Sequence, residues 1–419
     1  MTTTAAHSSS ARRKGAPVWL MGLTNSVFGM YGGLLVITVP QLLSARHVAE
    51  ATIASMTAAM ISPGFWAFLF SPVLDVRFSR RWYSVVTAVV GAALLSIALL
   101  NLDDPPLVEV LLVTGFFFGN LYQSALGGWL SSIITTAEEN RLSVWVTIGN
   151  ISGGGLMAMI AGEFVQRLPP TVAALALGCV VLLPILVFPW MPAPGPDRRL
   201  ARESFPRFFG EVVSILKRRD VLIAMLLFVA PAATFSLVNL LGGLGGDFHA
   251  SSHFVGLVGG AGVVFGGIAG CLIFPLIDRL LPLRFLFLAI GAVGALFTLT
   301  LIVLPRTPAT FALALIGENL FQSVAITASI AIIFDTIGRN NPFSATTFCL
   351  MISTFNISNT YMLVVDGWGY ARHGVAGGYL MDAAMSLAAS LALAALLIAL
   401  SRRGKFASLQ RARAGPRHD

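Results

Sequence analysis

Apolar runs of about 20 residues follow one another along almost the whole chain, and they limit its possible folds more than any other feature. A hydrocarbon core about 30 Å thick requires a helix of about 20 mainly apolar residues. Runs of this length predict an all-α membrane protein with twelve transmembrane helices. The predicted spans are 17–43, 52–74, 82–101, 107–134, 142–165, 170–191, 221–245, 253–277, 284–304, 308–334, 345–366 and 377–400.

The composition excludes a water-soluble protein. Hydrophobic residues make up 56% of the 419 residues and charged residues only 11%, whereas soluble domains contain about 25% charged residues. The formal charge of +8 would suggest nucleic acid in a soluble protein. Here membrane orientation explains the charge better, so the lipid bilayer is a predicted partner and nucleic acid is not.

Lysine and arginine are distributed unevenly between the two sides of this arrangement. With both termini in the cytoplasm, 23 of the 27 basic residues lie on the cytoplasmic side. Cytoplasmic loops of membrane proteins carry such an excess, so an even number of spans with both termini cytoplasmic is predicted. The four basic residues on the other side are Arg46, Arg167, Arg306 and Arg372.

One long connection divides the chain into two sets of six spans. Its residues 205–219 carry apolar side chains on one helical face and charged ones mostly on the other, which predicts a helix lying on the membrane surface. The predicted domains are a disordered cytoplasmic N-terminus (1–16), an N-terminal six-helix bundle (17–191), a cytoplasmic linker with an amphipathic helix (192–220), a C-terminal six-helix bundle (221–400) and a basic cytoplasmic tail (401–419).

Three short motifs recur in the same order in both halves, at offsets of 199 to 206 residues. This recurrence indicates a duplicated six-span unit. Two pseudo-symmetric, parallel six-helix bundles with the solute site between them are the plan of the major facilitator fold. The matching segments are 72–82 with 275–285, 120–124 with 319–323, and 150–152 with 356–358.

The first repeated motif places a carboxylate at the end of a span and arginines after it. Such groups form charge-assisted hydrogen bonds, and these could hold one access state as a latch. A solvated turn that only sets orientation is the alternative. The predicted gating residues are Asp75, Arg77, Arg81, Asp278, Arg279 and Arg284.

Glu318 is the eleventh residue of the predicted span 308–334 and therefore lies near mid-depth. A charged carboxylate is costly there, and no basic residue of the span centres can pair with it. Glu318 is therefore a candidate proton carrier for proton coupling, with a permanently protonated or paired structural role as the alternative. Asp366 and Asp382 lie nearer predicted span ends, so we expect them to be solvated or interfacial.

Amide, hydroxyl and aromatic side chains supply the spans with hydrogen-bonding capacity without charge. Within a membrane such groups face protein or a water-filled cavity, where they line a solute path or hold helices together. A mixed amide and aromatic cavity suits a bulky, polar solute. The predicted cavity residues are Asn25, Tyr31, Asn120, Gln123, Ser124, Trp145, Asn150, Asn319, Gln322, Ser323 and Asn356.

The sequence contains no nucleophile elbow, metal-ligand spacing or catalytic carboxylate pair. Its three cysteines have no CxxC partner. No enzyme, cofactor or metal is therefore predicted. The predicted function is secondary transport of a small-molecule solute with protons. A proton-driven drug or metabolite exporter of the same fold is the alternative, and a membrane-embedded lipid-modifying enzyme is less favoured.

Four short segments carry a resemblance to a known branch of the major facilitator superfamily. They are 68–75, 318–320, 343–347 and 366–368. The chain resembles the AmpG-type permeases, the branch that includes acetyl-CoA transporters and certain siderophore importers. The resemblance implies import of a muropeptide or a siderophore across the bacterial inner membrane, and we expect a monomeric symporter. Thr347 stands where this branch has Gln, and the cargo stays open between these two classes.

Overall fold

The computed structural model describes residues 16–76, 78–193, 210, 213–215, 217–338 and 341–402. These residues form helices and contain no β-strand. The first six segments are α1 (18–45), α2 (50–75), α3 (Arg80–Leu100), α4 (Pro105–Ile133), α5 (Glu139–Arg167) and α6 (Pro170–Trp190). The second six are α7 (219–248), α8 (252–277), α9 (Leu283–Ile302), α10 (Pro308–Ile337), α11 (344–373) and α12 (374–402).

Nine helical stretches among the described residues are long and apolar enough to cross a membrane. The longest, Ser344–Leu400, contains both α11 and α12, because non-helical backbone at His373 and Gly374 divides it. Interruptions split α2 and α7 into shorter helices. With these two segments and the divided helix, the described chain accommodates the twelve predicted spans. Most of the predicted surface helix, 205–219, lies outside the described residues.

Polar caps and prolines fix where several helices begin. The side chain of Asp104 accepts a hydrogen bond from the backbone of Leu107, and Pro105 follows at the first helical position of α4. Thr307 and Pro308 start α10 in the same way. An N-cap side chain satisfies one of the free backbone N–H groups of the first turn, and proline lacks one of these groups.

The interruption of α7 runs from Ala230 to Ser236 and is named the α7 break. Pro231 lies in it, and Phe235 has left-handed backbone with a φ of 50°. Since irregular backbone at membrane depth needs partners from the protein, neighbouring side chains must satisfy it. They do so from three helices: Tyr361 donates to the Val229 carbonyl at 2.6 Å, Ser390 to that of Ala232 at 3.0 Å and Gln322 to that of Phe235 at 3.1 Å.

Glycines allow α1 and α5 to pack closely in the N-terminal half. A Cβ atom on Gly29 would overlap the backbone carbonyl of Asn150. Gly32, one helical turn further along α1, has open space around it. Small residues at helix crossings let membrane helices approach each other and gain dispersion contacts.

We therefore expect Gly29→Ala to lower the melting temperature of the detergent-purified protein by several degrees. Forcing a methyl group into a close-packed site costs typically about 1–3 kcal/mol. Gly32→Ala is the matched control, because it adds the same methyl group where nothing lies within 4 Å. Equal melting temperatures for the two variants would contradict the crossing described here.

Candidate functional site

Asp75, at the end of α2, reaches across to the start of α11 in the other half of the chain. One of its oxygens accepts hydrogen bonds from the backbone N–H of Thr346 at 2.8 Å and from the Thr346 hydroxyl at 2.7 Å. The other accepts from the backbone N–H of Ala345 at 3.2 Å. The carboxylate is therefore an N-terminal cap for a helix of the opposite half, where the helix dipole also favours negative charge.

Arg80 completes this contact, which we name latch 1 (Asp75, Arg80, Ala345 and Thr346). Its guanidinium Nε lies 2.9 Å from Asp75 Oδ1, and its Nη2 donates to the Pro342 carbonyl at 2.8 Å. Both side chains are buried. Because α3 begins at Arg80, with Ser79 as its cap, Arg80 lies beside Asp75. The repeat had suggested Arg81, which is half-buried, and Arg77 lies outside the described residues.

Asp278 makes the corresponding contact in the second half, and its pair with Asn140 is named latch 2. Asn140, at the start of α5, donates to Asp278 Oδ2 at 2.9 Å. Oδ1 of Asp278 is buried without a partner. Arg279 is exposed and Arg284 half-buried. Each latch thus joins the end of the second helix of one half to the start of the fifth helix of the other, but latch 2 has fewer bonds.

The thiol of Cys349 lies beside latch 1 and is buried. It contacts the hydroxyls of Ser124 on α4, Ser71 on α2 and Ser353 on its own helix. Two of these three partners belong to the opposite half of the chain. Separation of α11 from α2 and α4 would therefore expose the thiol.

Glu318 is fully buried within the C-terminal half, as its mid-depth position predicted. Its Oε1 accepts a hydrogen bond of 2.5 Å from the Thr298 hydroxyl on α9, and its Oε2 has no partner. Thr298 belongs to the same half of the chain. The carboxyl group is therefore bonded inside the C-terminal helices.

Asp366 and Asp382 are also buried, so the expectation that they are solvated or interfacial is wrong. Asp366 Oδ2 accepts a hydrogen bond of 2.5 Å from Ser236, and one oxygen of each aspartate has no partner. The carboxyl group of Asp382 interacts electrostatically with both Asp366 and Glu318. Glu318, Asp366 and Asp382 are named the acid cluster.

Asp366 and Asp382 were expected near the membrane surface because α11 was predicted to end at residue 366. The polar and glycine-rich segment after Asp366 resembles a loop, but the helix continues to His373. Gly369 and Gly377 let α11 and α12 cross closely at this end, and Tyr370 donates a hydrogen bond of 2.8 Å to Asp247. These contacts are long-range, and no local sequence signal shows them.

The predicted cavity residues differ in what they contact. In the N-terminal half, Asn25 donates to the Val146 carbonyl and Tyr31 to that of Ala88, while Asn120 and Ser124 bond within α4. In the C-terminal half, Gln322 holds the α7 break. Gln123, Ser323 and Asn319 are buried, and Asn319 Oδ1 has no partner.

Four predicted cavity residues are half-buried, namely Trp145, Asn150, Gln322 and Asn356. Asn356 donates to the Gly64 carbonyl at 3.3 Å, which is a contact between the halves. Near Gly64, the ring of Trp66 stacks on Phe117 with centroids 5.3 Å apart. This region combines amide and aromatic groups beside the line where the two halves meet.

Solved structures share this arrangement of helices. A variant of the Escherichia coli fucose:proton symporter FucP aligns with a TM-score of 0.68 and 14% identity over 91% of this chain and 98% of that one. A major facilitator superfamily transporter, FucP in the outward conformation, aligns with a TM-score of 0.63 and 16% identity over 90% of this chain and 98% of that one. The chain has the major facilitator fold.

The human organic anion transporter MFSD10 (TETRAN) has the same fold, with a TM-score of 0.68 and 14% identity over 92% of this chain and all of that one. No protein-family profile and no curated protein matches the sequence. The major facilitator fold is therefore shown by structure, and the AmpG-type branch stays a prediction.

Latch 1 predicts a change in thiol reactivity. In a background with Cys179→Ser and Cys271→Ala, we expect Asp75→Asn to raise the rate at which N-ethylmaleimide labels Cys349 by about tenfold or more. A tenfold rise in the exposed population of Cys349 corresponds to about 1.4 kcal/mol. Loss of one hydrogen bond to a charged group, about 1.5–3 kcal/mol, is enough to cause it.

Asp278→Asn is the matched control, because it makes the same substitution in latch 2, away from Cys349. It should change the labelling rate less than Asp75→Asn does. Labelling that is unchanged by Asp75→Asn would mean that latch 1 does not hold α11 in place.

Proposed function

We propose that this protein is a secondary active transporter that moves a bulky organic solute across the bacterial inner membrane by alternating access. The observation that carries this proposal is the pair of latches. Asp75 and Asp278 each accept hydrogen bonds from the opposite half through their side chains. Such a contact is suited to a rigid-body movement between two states.

The latched end is assigned to the cytoplasm, because most basic residues lie on that side. The structure is then closed towards the cytoplasm, and likeness to a transporter described in the outward conformation supports its assignment to an outward-facing state. The moving bodies are the two six-helix halves, 17–191 and 221–400. A single chain carries both halves, so a monomer is sufficient.

Protons are the proposed coupling ion, and Glu318 is the leading proton site. Its carboxyl group is buried, accepts a hydrogen bond from the neutral Thr298 hydroxyl and has one oxygen without a partner. Burial disfavours the charged form of a carboxyl group. A proton taken up on the outside and released inside would therefore couple the proton gradient to the change of state.

The solute is proposed to be a siderophore or a cell-wall muropeptide, taken up by import. The half-buried Trp66, Phe117 and Asn356 offer stacking and hydrogen bonding where the halves meet. No lysine or arginine lies in the span centres, so a clamp for phosphate groups is absent from that depth. The resemblance to AmpG-type permeases favours import.

Proton coupling predicts that Glu318→Gln retains exchange of labelled solute between the two sides but loses accumulation driven by a pH gradient in proteoliposomes. The amide keeps the size and polarity of the side chain but cannot release a proton. Glu163→Gln is the control, because Glu163 is exposed and paired with Arg167 within α5. Accumulation at the parent level in Glu318→Gln would remove Glu318 from the coupling.

Solute identity is tested first by melting the purified protein with muropeptides, ferric siderophores, CoA esters and common drugs. A ligand at about 100 times its Kd stabilises the folded state by about 2.7 kcal/mol. We expect a selective rise in melting temperature with muropeptides or siderophores. A selective rise with the drugs alone would favour the exporter, and a flat panel on folded protein would contradict the proposed solute classes.

A further inference from the structure

The acid cluster and the α7 break meet at one hydroxyl group. Ser236 donates its hydrogen bond of 2.5 Å to Asp366 on α11, and the same hydroxyl also faces Asp382 on α12. Ser236 directly precedes the point where α7 resumes as the helix Leu237–Leu241. A buried carboxyl group therefore holds the junction between the α7 break and the rest of the segment, 237–248, which is named the outer part of α7.

The free oxygens of the acid cluster lie in one region of the C-terminal half. Oε2 of Glu318, Oδ1 of Asp366 and Oδ1 of Asp382 are all buried without a hydrogen-bond partner, and so is the hydroxyl of Tyr379. Glu318 and Asp382 lie about 12 to 15 Å from the starts of α10 and α12, and Asp366 lies about 10 Å from the end of α11, at a rise of 1.5 Å per residue. These three helix ends lie on the same side of the predicted membrane arrangement. Tyr379 interacts electrostatically with Glu318.

The described surroundings provide little positive charge to balance three carboxylates. The break in α7 and the facing part of α9 donate to the cluster through the neutral hydroxyls of Ser236 and Thr298. The other titratable or charged neighbours are Tyr379, Arg306 before α10, which interacts with Tyr379 and lies over Phe248, and the Tyr370–Asp247 pair further out. Carboxylates that share a site cannot all ionise, and they titrate as a group.

We propose that Glu318, Asp366 and Asp382 form one proton-sharing site, and that Asp366 is the positioning residue through which this site controls the α7 break. This inference rests on the proposed proton coupling. It adds Asp366 and Asp382 to the site and names the outer part of α7 as the element that moves.

The hydrogen bond from Ser236 links protonation to movement. An ionised Asp366 accepts a charge-assisted bond, which is about twice as strong as a neutral one. When a proton from water binds a carboxylate oxygen of the cluster, this bond weakens and the outer part of α7 is released. The proton later leaves to water on the other side, and no other covalent bond changes.

The other side chains that hold the α7 break keep their charge between about pH 6 and about pH 8. Gln322, Ser390 and Tyr361 donate to the backbone carbonyls of Phe235, Ala232 and Val229, and amide, alcohol and phenol side chains are all neutral in this pH range. They hold the break in the same way at every pH. The pH dependence of the break therefore comes through Ser236 and Asp366.

The test measures the accessibility of the outer part of α7 without any solute. Gly242 is exposed and has open space around its Cα, so Gly242→Cys is tolerated in a background lacking the native cysteines. Its labelling rate by a water-soluble maleimide in proteoliposomes is measured at steps from about pH 6 to about pH 8. Gly162→Cys on α5, also in open space, corrects for thiolate formation.

We expect the corrected labelling rate to be about fivefold to tenfold higher at the lower pH, because protonation weakens the Ser236 bond. Asp366→Asn and Ser236→Ala should each abolish this ratio. Glu318→Gln and Asp382→Asn should shift the pH at which the labelling rate is halfway between its two limits, since each removes a carboxyl group next to Asp366. Ser236→Thr keeps a hydroxyl and should keep the ratio.

Ser390→Ala is the matched control, because it removes a neutral serine hydroxyl bond to the same break. It should change the level of labelling but not its pH dependence. A corrected rate that is independent of pH in the parent, or a pH dependence that survives both Asp366→Asn and Ser236→Ala in folded protein, would overturn the inference.

The two proposals fail in different measurements. If solute accumulation does not respond to a pH gradient, proton coupling in the proposed function is wrong. If accumulation responds but the labelling of Gly242→Cys does not, coupling stands and its assignment to the α7 break is wrong.

Discussion

The rest of the structure depends on one constraint, which is that polar backbone at membrane depth must find its partners inside the protein. Unbroken helices meet it internally, whereas the α7 break cannot. Side chains from α10, α11 and α12 supply the missing hydrogen bonds through Gln322, Tyr361 and Ser390. The break therefore requires a surrounding cage of helices, and the acid cluster lies within that cage.

The same constraint explains how two similar halves carry different tasks. The buried polar groups described in the N-terminal half mainly bond to neighbouring backbone, as Asn25 and Tyr31 do. The C-terminal half instead contains carboxyl oxygens without partners. Groups of the first kind fix helix packing, and groups of the second kind can gain or lose a proton. This difference agrees with the proposed proton site in the C-terminal half.

Hydrophobic run length and the repeated motifs were sufficient to predict the helical membrane fold, because both are local properties of the sequence. The burial of Glu318 also followed from its position in a span. The pairing of Asp75 with Arg80 did not, because the repeat aligned Arg81 and the start of α3 decides which arginine lies beside Asp75. Asp366 and Asp382 were missed because the length of α11 depends on its crossing with α12, which is a tertiary contact.

The two latches contain unequal numbers of hydrogen bonds. Asp75 accepts three from the opposite half and pairs with Arg80, whereas Asp278 accepts one from Asn140. In the proposed transport cycle, the latch with fewer hydrogen bonds is the easier one to break, so the latched end would open first on the side of α5 and α8. The side of α2 and α11 would then act as the axis of the movement, and the opening would be wedge-shaped rather than an even parting.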